Sequence, residues 1–146
     1  MIDKIVKELS GKKLSDLYGV FFFEAEHSFE DILSIYIPNK DNNFIGLSPD
    51  GNSKAKLINI FSDIYFAEEI GFTIIAPLLK FLNPKGVDNS TISKASLTQK
   101  IETVTNNDGS KLKFEIDIIS IETISKDIIE LKFICDDLDI ICRKLE

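Results

Sequence analysis

The most regular pattern in the chain lies at Lys111–Ile118. Leu112, Phe114, Ile116 and Ile118 alternate there with Lys111, Lys113, Glu115 and Asp117. Period two with one apolar face predicts a half-solvated antiparallel strand. Asn107-Asp108-Gly109 just before it is a hairpin turn signal, which pairs the strand with Leu97–Thr105. The parity changes at Ile118-Ile119, and Ile119 and Ile121 continue on the other phase, predicting a bulge. After a turn at Ser125-Lys126-Asp127, alternation resumes at Ile129, Leu131, Phe133 and Cys135. The last segment fits two periods. Leu138, Ile141, Cys142 and Leu145 keep helical spacing, and a heptad through Ile128, Leu131 and Cys135 would lengthen that helix. Ile140 and Cys142 fit a strand, and β-branched content favours strands.

The N-terminal half is less uniform. Ile2, Ile5, Val6 and Leu9 share one helix face, and Ser10-Gly11 ends it with Gly11 as a left-handed cap. Gly19–Glu26 and Asp31–Ile37 predict a hairpin, with the connection near His27–Glu30 and Pro38 closing the second strand. Phe44–Leu47 is a short third strand, followed by a turn at Ser48-Pro49-Asp50-Gly51. Ser53 caps an expected helix carrying Leu57, Ile58, Phe61, Ile64 and Tyr65. A second helix is expected over Ala67–Phe81, weakened by Gly71 and Pro77. Asn83-Pro84-Lys85-Gly86 stops it, and Val87–Ala95 reads as a polar connector. The reading is one α+β domain over residues 1–146. An antiparallel sheet forms from the N-terminal hairpin and a C-terminal β-meander, with central helices packed on one face.

Charge sharpens this picture. There are 17 Lys plus Arg against 24 Asp plus Glu, a net charge of −7. That balance repels phosphate backbones and anionic lipid. Arg143 is the only arginine, so the usual reader of guanine edges and phosphates is almost missing. Neither nucleic acid nor a membrane is an expected partner. The longest apolar run, Ile70–Leu82, is shorter than the ~20 residues a bilayer needs and contains Pro77 and Lys80. The amphipathic N-terminus does not read as a signal peptide. Cys135 and Cys142 read as two buried free thiols of a cytoplasmic protein. Richness in Ile, Lys, Asn and Asp points to an AT-rich, bacterial source.

Candidate chemistry is sparse. His27 is the only histidine and has no evident nucleophile or second acid beside it. One histidine and two separated cysteines do not make a zinc site. Asp136-Asp137-Leu138-Asp139 lacks the Gly and Glu of a calcium loop. No phosphate-binding glycine loop or nucleophile elbow occurs. No cofactor, metal or catalytic residue is expected.

The charge is unevenly placed. Leu14–Asn39 contains no Lys or Arg yet holds Asp16, Glu24, Glu26, Glu30 and Asp31. Such a segment suits docking to a basic protein, because complementary charge speeds encounter and fixes register. The expected function is that of a non-catalytic binding module. Specifically, it would be a bacterial immunity or antitoxin protein that neutralises a basic toxin domain such as a nuclease. Glu24, Glu26, Glu30 and Asp31 are the expected contacts, with Phe29 as an aromatic anchor. Two other readings stay open: a secretion chaperone or scaffold, and a small carboxylate-dependent enzyme. The oligomeric state is left open.

Overall fold

The computed structural model describes residues 2–22, 32–38, 43–61 and 73–145. It is built mainly of antiparallel strands. Helix α1 (Ile2–Lys7) is followed by β1 (Tyr18–Phe22), β2 (Ile32–Pro38), β3 (Phe44–Pro49), β4 (Ala55–Phe61) and β5 (Thr73–Pro77). A short α2 (Leu79–Leu82) leads to β6 (Ile92–Thr105), β7 (Lys111–Thr123), β8 (Asp127–Ile134) and β9 (Asp137–Lys144). The strands form a five-stranded sheet in the order β4-β3-β2-β1-β5 and a four-stranded sheet in the order β6-β7-β8-β9.

The two sheets share one core. Ile35, Ile37, Ile45 and Leu47 of the first sheet join Ile119, Ile121, Ile129, Leu131 and Phe133 of the second in a single apolar cluster. Strands β2 and β3 meet β8 and β9 across it. Burying each large side chain such as Phe21 or Phe133 stabilises the fold by roughly 1.5–3 kcal/mol. Helix α1 adds Ile5 and Val6 to the cluster, the turn after it adds Leu9, and the helix rests on β6. It is too short to persist alone, so this docking sustains it. Gly11 (φ 89°) turns the chain after it. Its N–H donates to Ile92 O at 2.8 Å, and Ile92 N–H returns a bond to Lys12 O at 2.7 Å.

Several expectations hold. β1 and β2 pair as an antiparallel hairpin, with Tyr18 opposite Tyr36 and Phe21 opposite Ile32. Strand β3 follows where expected. β6 and β7 pair along their whole length through the Asn107-Asp108-Gly109 turn. The segment after Ser125 is two strands, which excludes the C-terminal helix. Asp136, Asp137 and Asp139 therefore belong to the β8–β9 turn and to β9.

The central helices are not formed as expected. Leu57, Ile58 and Phe61 lie in β4, which pairs with β3 through Leu57–Leu47 and Ile60–Ile45. A dense apolar run satisfies both helical and two-faced strand periods, and pairing with β3 decides between them. Ser53 (φ 63°) is not a helix cap; its Oγ accepts the Cys135 N–H at 2.7 Å. Of Ala67–Phe81, residues 67–72 lie outside the described residues, Thr73–Pro77 is β5, and only Leu79–Leu82 is helical. Pro77 ends an edge strand, where a missing donor costs little. Nor does a bulge occur at Ile118-Ile119, since register with β6 and β8 runs unbroken through both residues. Both faces of β7 are simply covered there, with Ile119 facing the core. Ile116 and Ile118 are buried on the opposite face. The Lys132–Glu102 ion pair (3.5 Å) spans β7 on that side, so long polar stems shield the isoleucines. The polar connector is shorter than expected, because β6 starts at Ile92.

Among the described residues, no helix is long and apolar enough to cross a membrane.

Candidate partner-binding surface

Of the acidic stretch, Asp16 is described and Glu24, Glu26, Phe29, Glu30 and Asp31 are not. His27 also lies outside the described residues. Asp16 is exposed in a short 3₁₀ turn, and its Oδ2 accepts the Lys13 N–H at 3.0 Å. The two anchors of the remaining acidic residues, Phe22 and Ile32, are defined by the sheet.

Both anchors are inner-strand ends. β1 lies between β2 and β5, and β2 lies between β1 and β3. Phe21 is fully buried, and its ring stacks on Phe81 of α2 at 5.8 Å between centroids. The same ring folds over Gly19, where an added Cβ would lie 2.8 Å from Phe21 Cζ. Gly19 is thus required by close approach, because any larger residue would displace this ring. Ile32 is buried at the other anchor.

A feature the sequence pattern concealed sits beside these anchors. The β1–β2 register shifts between Val20 and Phe21, which face Ser34 and Ile32 respectively. Leu33 is therefore an extra residue on β2. It is 40% exposed, while Ile32, Ser34, Ile35, Tyr36 and Ile37 are all buried. A bulge bends its strand and re-aims a side chain. Here it places a leucine on the surface two residues from Asp31. In the run Ile32–Ile37 every position except Ser34 is apolar, so no alternation marked Leu33 as the outward one.

A small cavity of about 180 Å³ is lined by the polar side chains of Lys85, Asp127, Cys142, Arg143 and Lys144, together with Gly86 and Val87. Asp127 is buried and forms an ion pair with Lys144; its N–H donates to Thr123 Oγ1 at 3.1 Å. Burial pushes the Cys142 thiol above its ordinary value, the Asp127 carboxylate adds to this, and Lys85 opposes it. The thiol is held protonated, the opposite of an activated nucleophile. Lys85 itself lies over the Phe81 ring at 4.8 Å.

Both cysteines are free, but neither is fully buried as expected: Cys135 is exposed in the β8–β9 turn and Cys142 is half-buried on β9. Cys142 lies along β9, which runs away from that turn at about 3.3 Å per residue. The two are too far apart for a disulfide, which needs Cα atoms within about 7 Å.

Lys54, Glu115 and Asp117 form a third cluster at the end of β8. Lys54 Nζ lies 2.7 Å from Glu115 Oε1 and 3.6 Å from Asp117 Oδ1. The bond to Glu115, aided by Asp117, raises the Lys54 ammonium above its ordinary value despite partial desolvation. Among the described residues, no group of three or more His, Cys, Asp and Glu side chains could hold a metal ion.

Comparison with protein-family models, with curated proteins and with solved structures finds no match.

Proposed function

We propose that the protein is a binding module which docks a basic protein domain at the end of the β1–β2 hairpin. The observation that carries this reading is the bulge at Leu33. It exposes one apolar side chain beside a segment that holds Glu24, Glu26, Glu30 and Asp31 without a single Lys or Arg. An apolar anchor next to acids of one sign is the composition of a charge-steered interface. Phe29 is the second anchor. The residues that flank the segment, Phe22 and Ile32, belong to inner strands of the five-stranded sheet.

The partner class that fits is a cationic enzyme domain, such as a nuclease toxin, whose phosphate-binding surface the acids would occupy. In this role the protein acts as a bacterial immunity or antitoxin protein, in the cytoplasm, and performs no catalysis of its own.

The test uses a purified cationic nuclease-toxin domain as the probe. Binding is measured by titration calorimetry at low and high salt, with toxin neutralisation as a second readout. Strong, salt-weakened binding is expected, and reversing Glu24, Glu26, Glu30 and Asp31 to lysine abolishes it. Neutralisation that survives all four reversals sinks the site. Binding only to an unfolded segment of the partner, seen by limited proteolysis of the complex, would identify a chaperone instead.

A further inference from the structure

Strand β7 is paired with β6 over residues 111–123 but with β8 only over residues 117–122. The β6–β7 hairpin therefore extends beyond the four-stranded sheet as a two-stranded arm. Its surface is unusual for a solvated ribbon: Ile101 is 65% exposed, Leu112 57% and Val104 43%. One backbone edge of the arm, along Lys111–Ile116, has no strand beside it among the described residues.

The orientation of that edge is fixed. The Asp117 N–H points away from β6, since it donates to Ser53 O at 2.8 Å. Backbone groups alternate in direction along a strand. Those of Lys111, Lys113 and Glu115 therefore also point outward. The Ser53 turn occupies the edge at Asp117, so pairing along it stops at Ile116, and an added chain must leave the sheet beyond that point.

We propose that this edge pairs with the same edge of a second copy, antiparallel and two-fold symmetric about Phe114. The sequence Leu112-Lys113-Phe114-Glu115-Ile116 is self-complementary in that register. Lys113 lies opposite Glu115 of the other copy, and Glu115 opposite its Lys113. Both are outward-pointing positions that form the hydrogen-bonded pairs. On the other face, Phe114 meets Phe114 and Leu112 meets Ile116. A two-fold axis one residue earlier would set Lys113 against Lys113, and one residue later Glu115 against Glu115. An axis between residues would set Phe114 against a charge. Like charges directly opposite destabilise a pair, and opposite charges stabilise it.

Long-range charge does not oppose this contact as the net charge of −7 would suggest. Between Thr98 and Ile116 the arm carries Lys100, Lys111 and Lys113 against Glu102, Asp108 and Glu115. It is neutral, and it holds two acidic bodies apart. Glu115 keeps its bond to Lys54 and still has lone pairs for Lys113 of the other copy. The joined sheet also covers an open edge, which a lone arm would leave available for indiscriminate pairing.

The test is sedimentation velocity of the full chain across a wide concentration range, with far-UV circular dichroism confirming that each variant folds. The wild type is expected to show a concentration-dependent dimer. Lys113→Glu replaces two attractive pairs by two repulsive ones and should weaken the dimer by roughly tenfold or more. Glu115→Lys should do the same. The double variant restores opposite charges in this register alone and should recover dimerisation. A wild type that is monomeric at every concentration overturns the proposal. So does a double variant no better than the singles.

Discussion

Asp117 Oδ2 accepts the backbone N–H of Ala55 at 2.9 Å, joining β7 of one sheet to the first residue of β4 in the other. The same residue's N–H donates to Ser53 O, so both its main chain and its side chain hold the β3–β4 turn. The carboxylate is buried and stands close to Lys54. Asp117→Ala leaves the Ala55 N–H without its acceptor and is expected to cost about 2–4 kcal/mol. Asp117→Asn keeps an oxygen for Ala55 but loses the charge facing Lys54, and should cost less. Urea titration checks this: the midpoint falls in that order with the slope unchanged.

The turn that Asp117 holds is itself organised by Asp50. Its Oδ1 accepts the N–H groups of Asn52 at 2.7 Å and Lys54 at 3.1 Å. These bonds, the Asn52 N–H foremost, hold the Asp50 carboxyl below its ordinary 3.8. A depressed folded-state value stabilises the fold above the unfolded value, and that contribution fades as pH falls through the folded one. Asp50→Asn should therefore flatten part of the acid limb of a stability-versus-pH curve below about pH 4. An unchanged acid limb would show that the turn does not depend on this charge.

Cys142 carries the opposite sign. Its raised value means that the folded protein retains a proton which the unfolded chain releases. Stability is full below the unfolded thiol value and declines as pH rises through the alkaline range towards the folded one. Alkylation followed by mass spectrometry near neutral pH should label the exposed Cys135 first and Cys142 slowly. Equal labelling rates would contradict the burial of Cys142.

Lys126 adopts a left-handed conformation, φ 66°, in the β7–β8 turn. Replacing it by glycine removes about 1 kcal/mol of steric cost, partly offset by a freer unfolded chain. A net gain of about 0.5 kcal/mol is expected. A thermal melt of Lys126→Gly reads it directly, and a fall in the midpoint would count against the strain.

Leu33 separates binding from folding. It is exposed, so Leu33→Asp should leave the unfolding free energy within about 0.5 kcal/mol of wild type. The same change should weaken the proposed partner complex substantially. A large loss of stability would place Leu33 in the core instead.

What could be read from the chain depended on solvent. Lys111–Ile118 is legible as a strand from its regular alternation, but the half-solvated face is not found: Leu112 is exposed in the arm, while Ile116, Asp117 and Ile118 are all buried. Asn107-Asp108-Gly109 was legible because a tight turn needs its chemistry, and Gly109 does take a positive φ. Strand β4 reads as helix because Leu57, Ile58, Ile60 and Phe61 have only Asn59 among them, too little polar contrast to declare a period. The supposed bulge at Ile118 arose in the same way, from a strand covered on both sides. The real bulge, at Leu33, lay in a run where burial on both faces erased the contrast. The acidic segment was evident as charge, but the apolar neighbour exposed beside it depends on register, which only pairing defines.

The order β6-β7-β8-β9 has a kinetic consequence. Each strand of that sheet finds its neighbour across a single turn, so its loops close over short stretches of chain. The other sheet closes only when β1 finds β5, Phe22 meeting Thr73. Closing longer loops costs more chain entropy and slows pairing. The C-terminal meander can therefore assemble first and offer Ile119, Ile129 and Leu131 as a template. The N-terminal sheet is then expected to complete itself against that surface, with β5 seated last.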